Sequence, residues 1–573
     1  MSNYKHKILD TITKIDILLI VPPYRLVEPY DNYKLIDPPR SLTILGTILK
    51  SLGYSVRIID MPINGMGYDD ITIEIDKFNP KIIGLQNRST YSFPIVKKLA
   101  ETIKFKHDAI PIIVGGTHVT YNPIESLRDC EYFDYVLAGE AENSLPAMLN
   151  FLLNKSGNIS DINGLVYRSE KGEIVKSNQK ESPAINLDNV PIPDYSLIPI
   201  EKYVARKERY ILDLGRGCMY NCPYCTSRLG VPGIRFRKAD MVLKEIRYAY
   251  NLGFRNFYFF DNIFTANREL VIEVCQKIIK EKIQISWPCM TVLEMVDKEL
   301  LGWMKRAGCD LIAYGVETIT QKALENIVKH KGNQENIKNV FMLTRESGIR
   351  PLAFVIHGLP GTTFIDELKT IKFITQIQPD AVRAFCFKPF PGSTYYKNLE
   401  KYGINIVNDD FNRWSILDEP THETTNLNKD EITEARLLSE YLFRSGGVIS
   451  AGDKYRRRKN VILFKTSTGG VLYNPFVPEN IRKTDMYLNG LKLDPMYFEI
   501  LYRCDGYHNE SDLVFIMEKI FDLDTSTATR KVVEILNMAR EKELLVLIPD
   551  VMDGNTLPVT SEDAGRLVSS YCT

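Results

Sequence analysis

Two separate series of short β-branched apolar runs, each alternating with amphipathic helical stretches, limit what this chain can fold into. The first series occupies 17–21, 56–59, 81–85, 110–114 and 135–138, with helical periodicity over 41–52, 69–78, 93–104 and 144–153. Runs that lack polar alternation belong to strands buried on both faces, which means a parallel sheet covered by helices. Residues 1–160 are therefore expected to form a doubly wound, Rossmann-like α/β domain. The second series places strands at 210–214, 257–260, 283–287, 311–314, 352–356 and 381–387, with helices between them. Six βα units are too few to close an eight-unit barrel, so a partial, open barrel over 205–400 is expected, with ligands at the C-terminal ends of its strands.

Between the two series, 162–176 reads as a hairpin turning at Lys171-Gly172. The proline-bearing stretch 181–200 reads as part of an interdomain linker, the whole connection covering 161–204. Beyond Pro391 the pattern changes. A helical connector (401–457) leads to strands at 460–464 and 470–473 and helices near 494–501, 510–521 and 527–541, which suggests a small α+β winged-helix domain over 458–573. At 573 residues the chain needs several cores. Its 72 basic and 72 acidic residues cancel, so no global field steers it to nucleic acid or anionic membrane. No signal-peptide pattern opens the sequence and no apolar run is long enough to span a bilayer, so a cytoplasmic protein is expected.

Ten cysteines are too sparse for a disulfide scaffold, yet Cys218, Cys222 and Cys225 fall together in Gly217-Cys218-Met219-Tyr220-Asn221-Cys222-Pro223-Tyr224-Cys225, just after the first strand of the second series. Three thiolates on one loop suit three corners of an iron-sulfur cube and leave the fourth iron open. The alternative is a zinc loop, which calls for a fourth ligand, and no His or Cys follows within forty residues.

This motif, C-x3-C-x-aromatic-C at the end of a first barrel strand, resembles the signature of the radical S-adenosylmethionine (SAM) superfamily. The resemblance implies a [4Fe-4S] cluster on Cys218, Cys222 and Cys225 whose open iron chelates SAM. It also implies reductive cleavage to a 5′-deoxyadenosyl radical, an electron donor such as flavodoxin or ferredoxin, and Tyr224 near the adenine. Phe260-Asp261-Asn262 is similar to the acidic motif that receives the methionine ammonium, with Asp261 the candidate because Asn262 stands where a second acid is usual. Glu317, in Tyr314-Gly315-Val316-Glu317-Thr318, matches the acidic contact to the SAM ribose. Gly358 and Pro360, in Gly358-Leu359-Pro360-Gly361, match the loop that approaches the adenine. Each segment has an ordinary reading as a cap or a tight turn.

The N-terminal domain lacks G-x-G-x-x-G after its first strand, against a dinucleotide. Paired with the barrel it resembles the cobalamin-binding domain of cobalamin-dependent radical SAM enzymes, on Gly115-Gly116-Thr117-His118-Val119-Thr120 and Gly139-Glu140-Ala141-Glu142. That match implies cobalamin contacts from Gly115, Gly116, His118, Thr120, Gly139, Glu140 and Glu142. Because Asp-x-His-x-x-Gly is absent, the cobalt is expected to have no protein His ligand. The competing reading is a Rossmann-like fold kept for stability or partner contact.

The C-terminal segment resembles peptide-recognition domains of ribosomal-peptide maturases, in which a leader peptide adds a strand, here to 461–464 or 470–473. Lid, dimer-contact and nucleic-acid readings compete, the last without a basic stripe. The function implied is radical C-methylation of an unactivated carbon, in a peptide or a small molecule: one SAM methylates reduced cobalamin, a second yields the radical, and the carbon radical collects the methyl group. Cyclisation or rearrangement is the alternative within the family. A cobalamin-sensing regulatory protein is the alternative outside it.

Overall fold

The computed structural model describes residues 14–23, 37–177 and 184–444, apart from 232, 326, 328–332 and 417. In the C-terminal segment it describes 454–457, 462–466, 469–473, 491–493, 500, 510–521, 523–541 and 545–548. The chain divides into two compact units. One comprises Met1–Gly361, Ile377–Asp380 and Phe385–Thr425, the other Thr362–Gln376, Ala381–Ala384 and Asn426–Thr573.

The first unit opens with five parallel strands: β1 (Ile17–Val21), β2 (Val56–Asp60), β3 (Ile82–Asn87), β4 (Ile112–Gly116) and β5 (Tyr135–Leu137). Their order is β2-β1-β3-β4-β5, extended antiparallel by β6 (Leu165–Arg168) and β7 (Ile174–Lys176). Every residue of β1 is buried, as the unbroken apolar run requires. Helices Arg40–Ser51, Tyr68–Phe78, Phe93–His107 and Ser144–Asn154 cover the sheet; the apolar stripes of Tyr68–Phe78 and Phe93–His107 meet the strands in a core with Leu18, Ile20, Ile83, Val96, Leu99 and Val114. Strand order reverses between β1 and β3, the place where ligands enter sheets of this topology.

The described part of the connection, from 184 onward, packs into the fold. Leu187 and Tyr195 are buried, and the Tyr195 ring meets Tyr210 edge-on at 5.5 Å. The amphipathic helix Ile200–Ala205 then leads into the second series.

That series comprises β8 (Tyr210–Leu212), a short hairpin of β9 (Gly215–Arg216) and β10 (Arg235–Phe236), then β11 (Phe257–Phe259), β12 (Trp287–Thr291), β13 (Cys309–Glu317), β14 (Arg350–His357) and β15 (Ala381–Cys386). β8 pairs β11 in parallel, β12 pairs β13, and β13 pairs β14. A parallel bridge from Asn256 to Ser286 joins β11 to β12. The third of these barrel strands therefore starts at Trp287, where the apolar run 283–287 had predicted its end. Lys282 sits at φ 55, closing the preceding helix, and Trp287, fully buried, donates through its indole N–H to Ala307 O at 2.8 Å. The first apolar residues of the run are thus a turn and an approach.

Beyond the barrel lie β16 (Ile404–Ile406) paired with β17 (His422–Thr424) and the helix Lys429–Arg444. In the second unit β18 (Lys454–Arg457) pairs β22 (Leu545–Ile548). There β19 (Ile462–Thr466), β20 (Gly469–Tyr473) and β21 (Leu491–Leu493) form an antiparallel sheet with β20 in the middle. Strand 470–473 is therefore paired on both sides and offers no edge to an incoming peptide; of the two strands named for that role only β19 lies at an edge. The helices Glu510–Phe521 and Thr525–Glu541 follow. The helix expected at 494–501 lies outside the described residues except at position 500. No helix among the described residues is long and apolar enough to cross a membrane.

Candidate cofactor sites

The cysteine loop leaves the barrel between β9 and β10, which pair antiparallel with Arg235 opposite Arg216 and Phe236 opposite Gly215. Cys218 and Cys222 are buried and Cys225 is exposed. Cys218 lies against Ile263 and Val292, while Cys222 lies against Leu324, Leu359, Phe387 and Tyr395. The Cys225 N–H donates to Cys222 O at 3.0 Å, and the Ser227 N–H donates to Cys225 Sγ at 3.4 Å. Among the described residues no trio of His, Cys, Asp or Glu gathers around a single metal ion. A cube asks instead for thiols spread over separate corners, with amide donors of the Ser227 kind tuning its potential.

Asp261 and Asn262 support this loop from below. Asp261 is buried, and its two carboxylate oxygens accept the Leu214 N–H at 3.0 Å and the Gly215 N–H at 2.7 Å. Burial, followed by the charge of Asp213, pushes its pKa up to about 8. Asn262 Nδ2 donates to Gly217 O at 3.2 Å. The pair read as a substrate-facing acidic motif thus grips the backbone that feeds Cys218.

Tyr224 and Glu317 meet: the Tyr224 hydroxyl donates to Glu317 Oε1 at 3.1 Å. Burial first, and then the Glu317 charge, drives the Tyr224 pKa well above that of an ordinary phenol. Glu317 has φ 58 and sits where the β13–β14 register shifts. Left-handed backbone in a buried non-glycine residue marks strain of the kind functional sites hold. Gly358 is fixed from another side, its carbonyl 3.0 Å from His422 Nε2, and Pro360 is buried beside it.

A cavity of about 630 Å³ opens at the ends of β1, β3, β4 and β5, a size typical of ligand sites. Its sheet floor includes Leu19, Gly84 and Gly115; Arg40 and Leu45 wall one side, and the backbone of Gly215–Gly217 the other. Gly116 at φ 119 is a position only glycine can hold, since a Cβ there would stand 2.2 Å from Asn87 O. Its backbone is thereby left bare against the cavity. Residues Gly115, Gly116, Thr120, Gly139, Glu140 and Glu142 all line this space, and His118 does not. His118 is buried, its ring 4.4 Å from Phe93 and 5.2 Å from Phe411, with Nδ1 3.2 Å from Thr90 Oγ1. Burial lowers its pKa to about 4. Thr120 is committed within the protein, donating to Gly116 O at 2.7 Å and accepting the Gly139 N–H at 2.9 Å.

One feature was not anticipated from the sequence. Arg40, at the start of its helix, bonds Asp213 at 2.9 Å and also pairs with Glu245. Arg237 reaches Glu245 at 2.7 Å, and the Tyr210 hydroxyl donates to the same carboxylate at 3.0 Å. Burial opposes charge on Asp213, but Arg40, Arg216 and Arg237 outweigh it and hold the carboxyl at about 2.

With that geometry described, comparison with known proteins places the chain. The family described as the B12 binding domain matches residues 31–149, and the Radical SAM superfamily matches 212–374. The uncharacterized methyltransferase PH0819 of Pyrococcus horikoshii is 30% identical over 393 residues, 66% of this chain and 82% of that protein. An anaerobic magnesium-protoporphyrin IX monomethyl ester cyclase of Rubrivivax gelatinosus is 26% identical over 421 residues, 70% of this chain and 73% of the cyclase. In fold, the chain resembles the radical SAM methyltransferase TsrM from Kitasatospora setae, solved with cobalamin and a [4Fe-4S] cluster, at TM-score 0.57 and 18% identity over 67% of this chain and 77% of TsrM. It likewise resembles the cobalamin-dependent radical enzyme OxsB at TM-score 0.55 and 17% identity, over 93% of this chain and 72% of OxsB. The chain belongs to the cobalamin-dependent radical SAM enzymes, whose cofactors are a [4Fe-4S] cluster, SAM and cobalamin.

Proposed function

We propose that the chain is a C-methyltransferase that moves a methyl group from SAM, by way of a corrinoid, to an unactivated carbon of a peptide or small-molecule substrate. The observation that carries this reading is the shared wall: Gly215–Gly217 line the cavity and run directly into Cys218. The two cofactors would then face one another across a single backbone segment.

When bound, the cluster supplies the electron that cleaves SAM and the corrinoid supplies a carrier for the methyl group. The chain's own residues do the rest. Cys218, Cys222 and Cys225 would hold three irons of the cluster and leave the fourth for SAM. Glu317, held by the Tyr224 hydroxyl, would accept the ribose hydroxyls of SAM, and the Gly358–Pro360 turn fixed by His422 would meet the adenine. The apolar packing around Cys218 and Cys222 would limit access of oxygen and solvent to the cluster corners they hold. A flavodoxin or ferredoxin would supply the electron, in the cytoplasm.

The cyclase relative favours a second reading, in which the same machinery closes a ring or rearranges its substrate. Anaerobic turnover of the reconstituted protein with SAM, hydroxocobalamin, a chemical reductant and the peptides encoded beside it separates the two. S-adenosylhomocysteine together with 5′-deoxyadenosine is expected for methylation. 5′-Deoxyadenosine alone would establish the second reading, and neither product would end both.

A further inference from the structure

The hairpin at the base of the cysteine loop contains a conflict. Its paired residues Arg216 and Arg235 stand directly opposite each other, and like charges in that position destabilise an antiparallel pair. Asp213 of the barrel lies 3.5 Å from Arg216 and offsets part of that charge, and the other domain supplies the rest. Glu140 accepts both Arg235 terminal nitrogens, at 2.9 and 2.8 Å, and Arg216 at 3.1 Å; Glu142 accepts Arg216 at 2.6 Å. The side chains are 7% exposed for Glu140, 11% for Glu142, 15% for Arg235 and 22% for Arg216, so the pairs are shielded from solvent screening. A second contact makes the docking snug. Gly230, on the returning limb of the loop, comes so close that a Cβ would stand 2.2 Å from Thr120 Cγ2 and 3.2 Å from Gly139 Cα.

We propose that Glu140 and Glu142 are positioning residues for the cysteine loop rather than ligands of the corrinoid. They neutralise the Arg216–Arg235 pair and so set the register of cluster against cavity. Both carboxylate oxygens of Glu140 and Oε1 of Glu142 are already engaged by arginine, while the Gly139–Glu142 turn lines the cavity. The proposal rests on the reading of that cavity as the corrinoid site.

The test uses the full chain, reconstituted anaerobically with iron, sulfide and hydroxocobalamin, as wild type, Glu140→Gln, Glu142→Gln and the charge swap Glu140→Arg with Arg235→Glu. Iron content, cobalamin affinity by absorbance titration, the magnetic interaction between cob(II)alamin and the reduced cluster by electron paramagnetic resonance, and 5′-deoxyadenosine per cluster are read. Glu140→Gln should bind cobalamin as wild type does, lose or alter the magnetic interaction, and make 5′-deoxyadenosine about tenfold more slowly, the loss of a charged hydrogen bond. Glu142→Gln, which touches Arg216 alone, should shift the same signals less while folding normally, and the charge swap should restore part of them. Unchanged magnetic interaction and rate in both single variants overturns the proposal. So does loss of cobalamin affinity with the cluster signals intact, which would make Glu140 a corrinoid ligand. Wild type that binds no cobalamin overturns the cavity reading and this proposal together, whereas wild type that binds both cofactors beside silent variants overturns this proposal alone.

Discussion

At the scale of single residues, Glu317 carries two burdens: a left-handed backbone, which costs about 1–3 kcal/mol, and a buried carboxylate held by Tyr224. Asparagine tolerates that backbone better than most side chains and cannot carry the charge. Glu317→Asn is therefore expected to melt no lower than wild type while weakening SAM binding about tenfold, measured by equilibrium dialysis on the reconstituted protein. Asp261→Asn should behave in the opposite way. An amide in place of the carboxyl turns an N–H toward one of the Leu214 and Gly215 amides, so melting temperature and iron uptake fall together, read by calorimetry and iron assay. The cysteine triad was legible because chemistry fixes its spacing. Asp261, Glu140 and Glu142 were legible as chemistry-bearing residues, but their partners were not, since Arg216 stands 76 positions from Glu140 and only the fold joins them. Two signals could have exposed the buried network. Arg40 begins a helix whose first turn has no acid, where a cation is disfavoured unless paired elsewhere. Glu245 lies on the apolar face of its helix with Val242, Ile246 and Ala249, where an isolated charge implies a buried partner.

Among elements, the parallel strands of the N-terminal sheet were readable to within two residues at either end, because strands buried on both faces leave apolar runs. β12 was not, since Ile283 and Ile285 alternate with Gln284 and Ser286 as a strand would, while the pairing starts only at Ser286 and Trp287. The joint between β3 and β4 is one of the places where a single added methyl has no room. Gly116→Ala would drive a methyl into the Asn87 carbonyl at a backbone angle that side chains avoid, so a loss of about 1–3 kcal/mol in urea unfolding is expected. Because that joint floors the cavity, cobalamin retention on gel filtration should fall with it, and iron uptake should not.

For the molecule as a whole, pH acts through buried histidines and a buried acid with opposite signs: Asp261, raised to about 8, favours the fold at low pH and loses that contribution as pH rises toward 8. His118 and His422 both have pKa values lowered to about 4, by burial in each case. The unfolded chain takes up these protons near pH 6.5, so the stability they reflect is complete above that value and is lost as pH falls toward 4, on the order of 3 kcal/mol for each. Because Asp261 opposes this slope over the same range, the readout is a difference: in melting curves from pH 7 to pH 4.5, His118→Leu should gain stability relative to wild type as the pH falls. Cobalamin should act on the same curves at neutral pH: at a hundredfold excess over its dissociation constant a ligand of the folded state adds about 2.7 kcal/mol. Finally, the paired strands Gly215–Arg216 and Arg235–Phe236 tie both ends of the cysteine loop together through backbone pairing that uses none of the thiols. A tether of that kind confines the thiols to a small volume when the metal is stripped, so the demetallated protein is expected to recapture iron and sulfide without passing through denaturation, and repeated cycles of oxygen damage and repair should leave the scaffold unharmed.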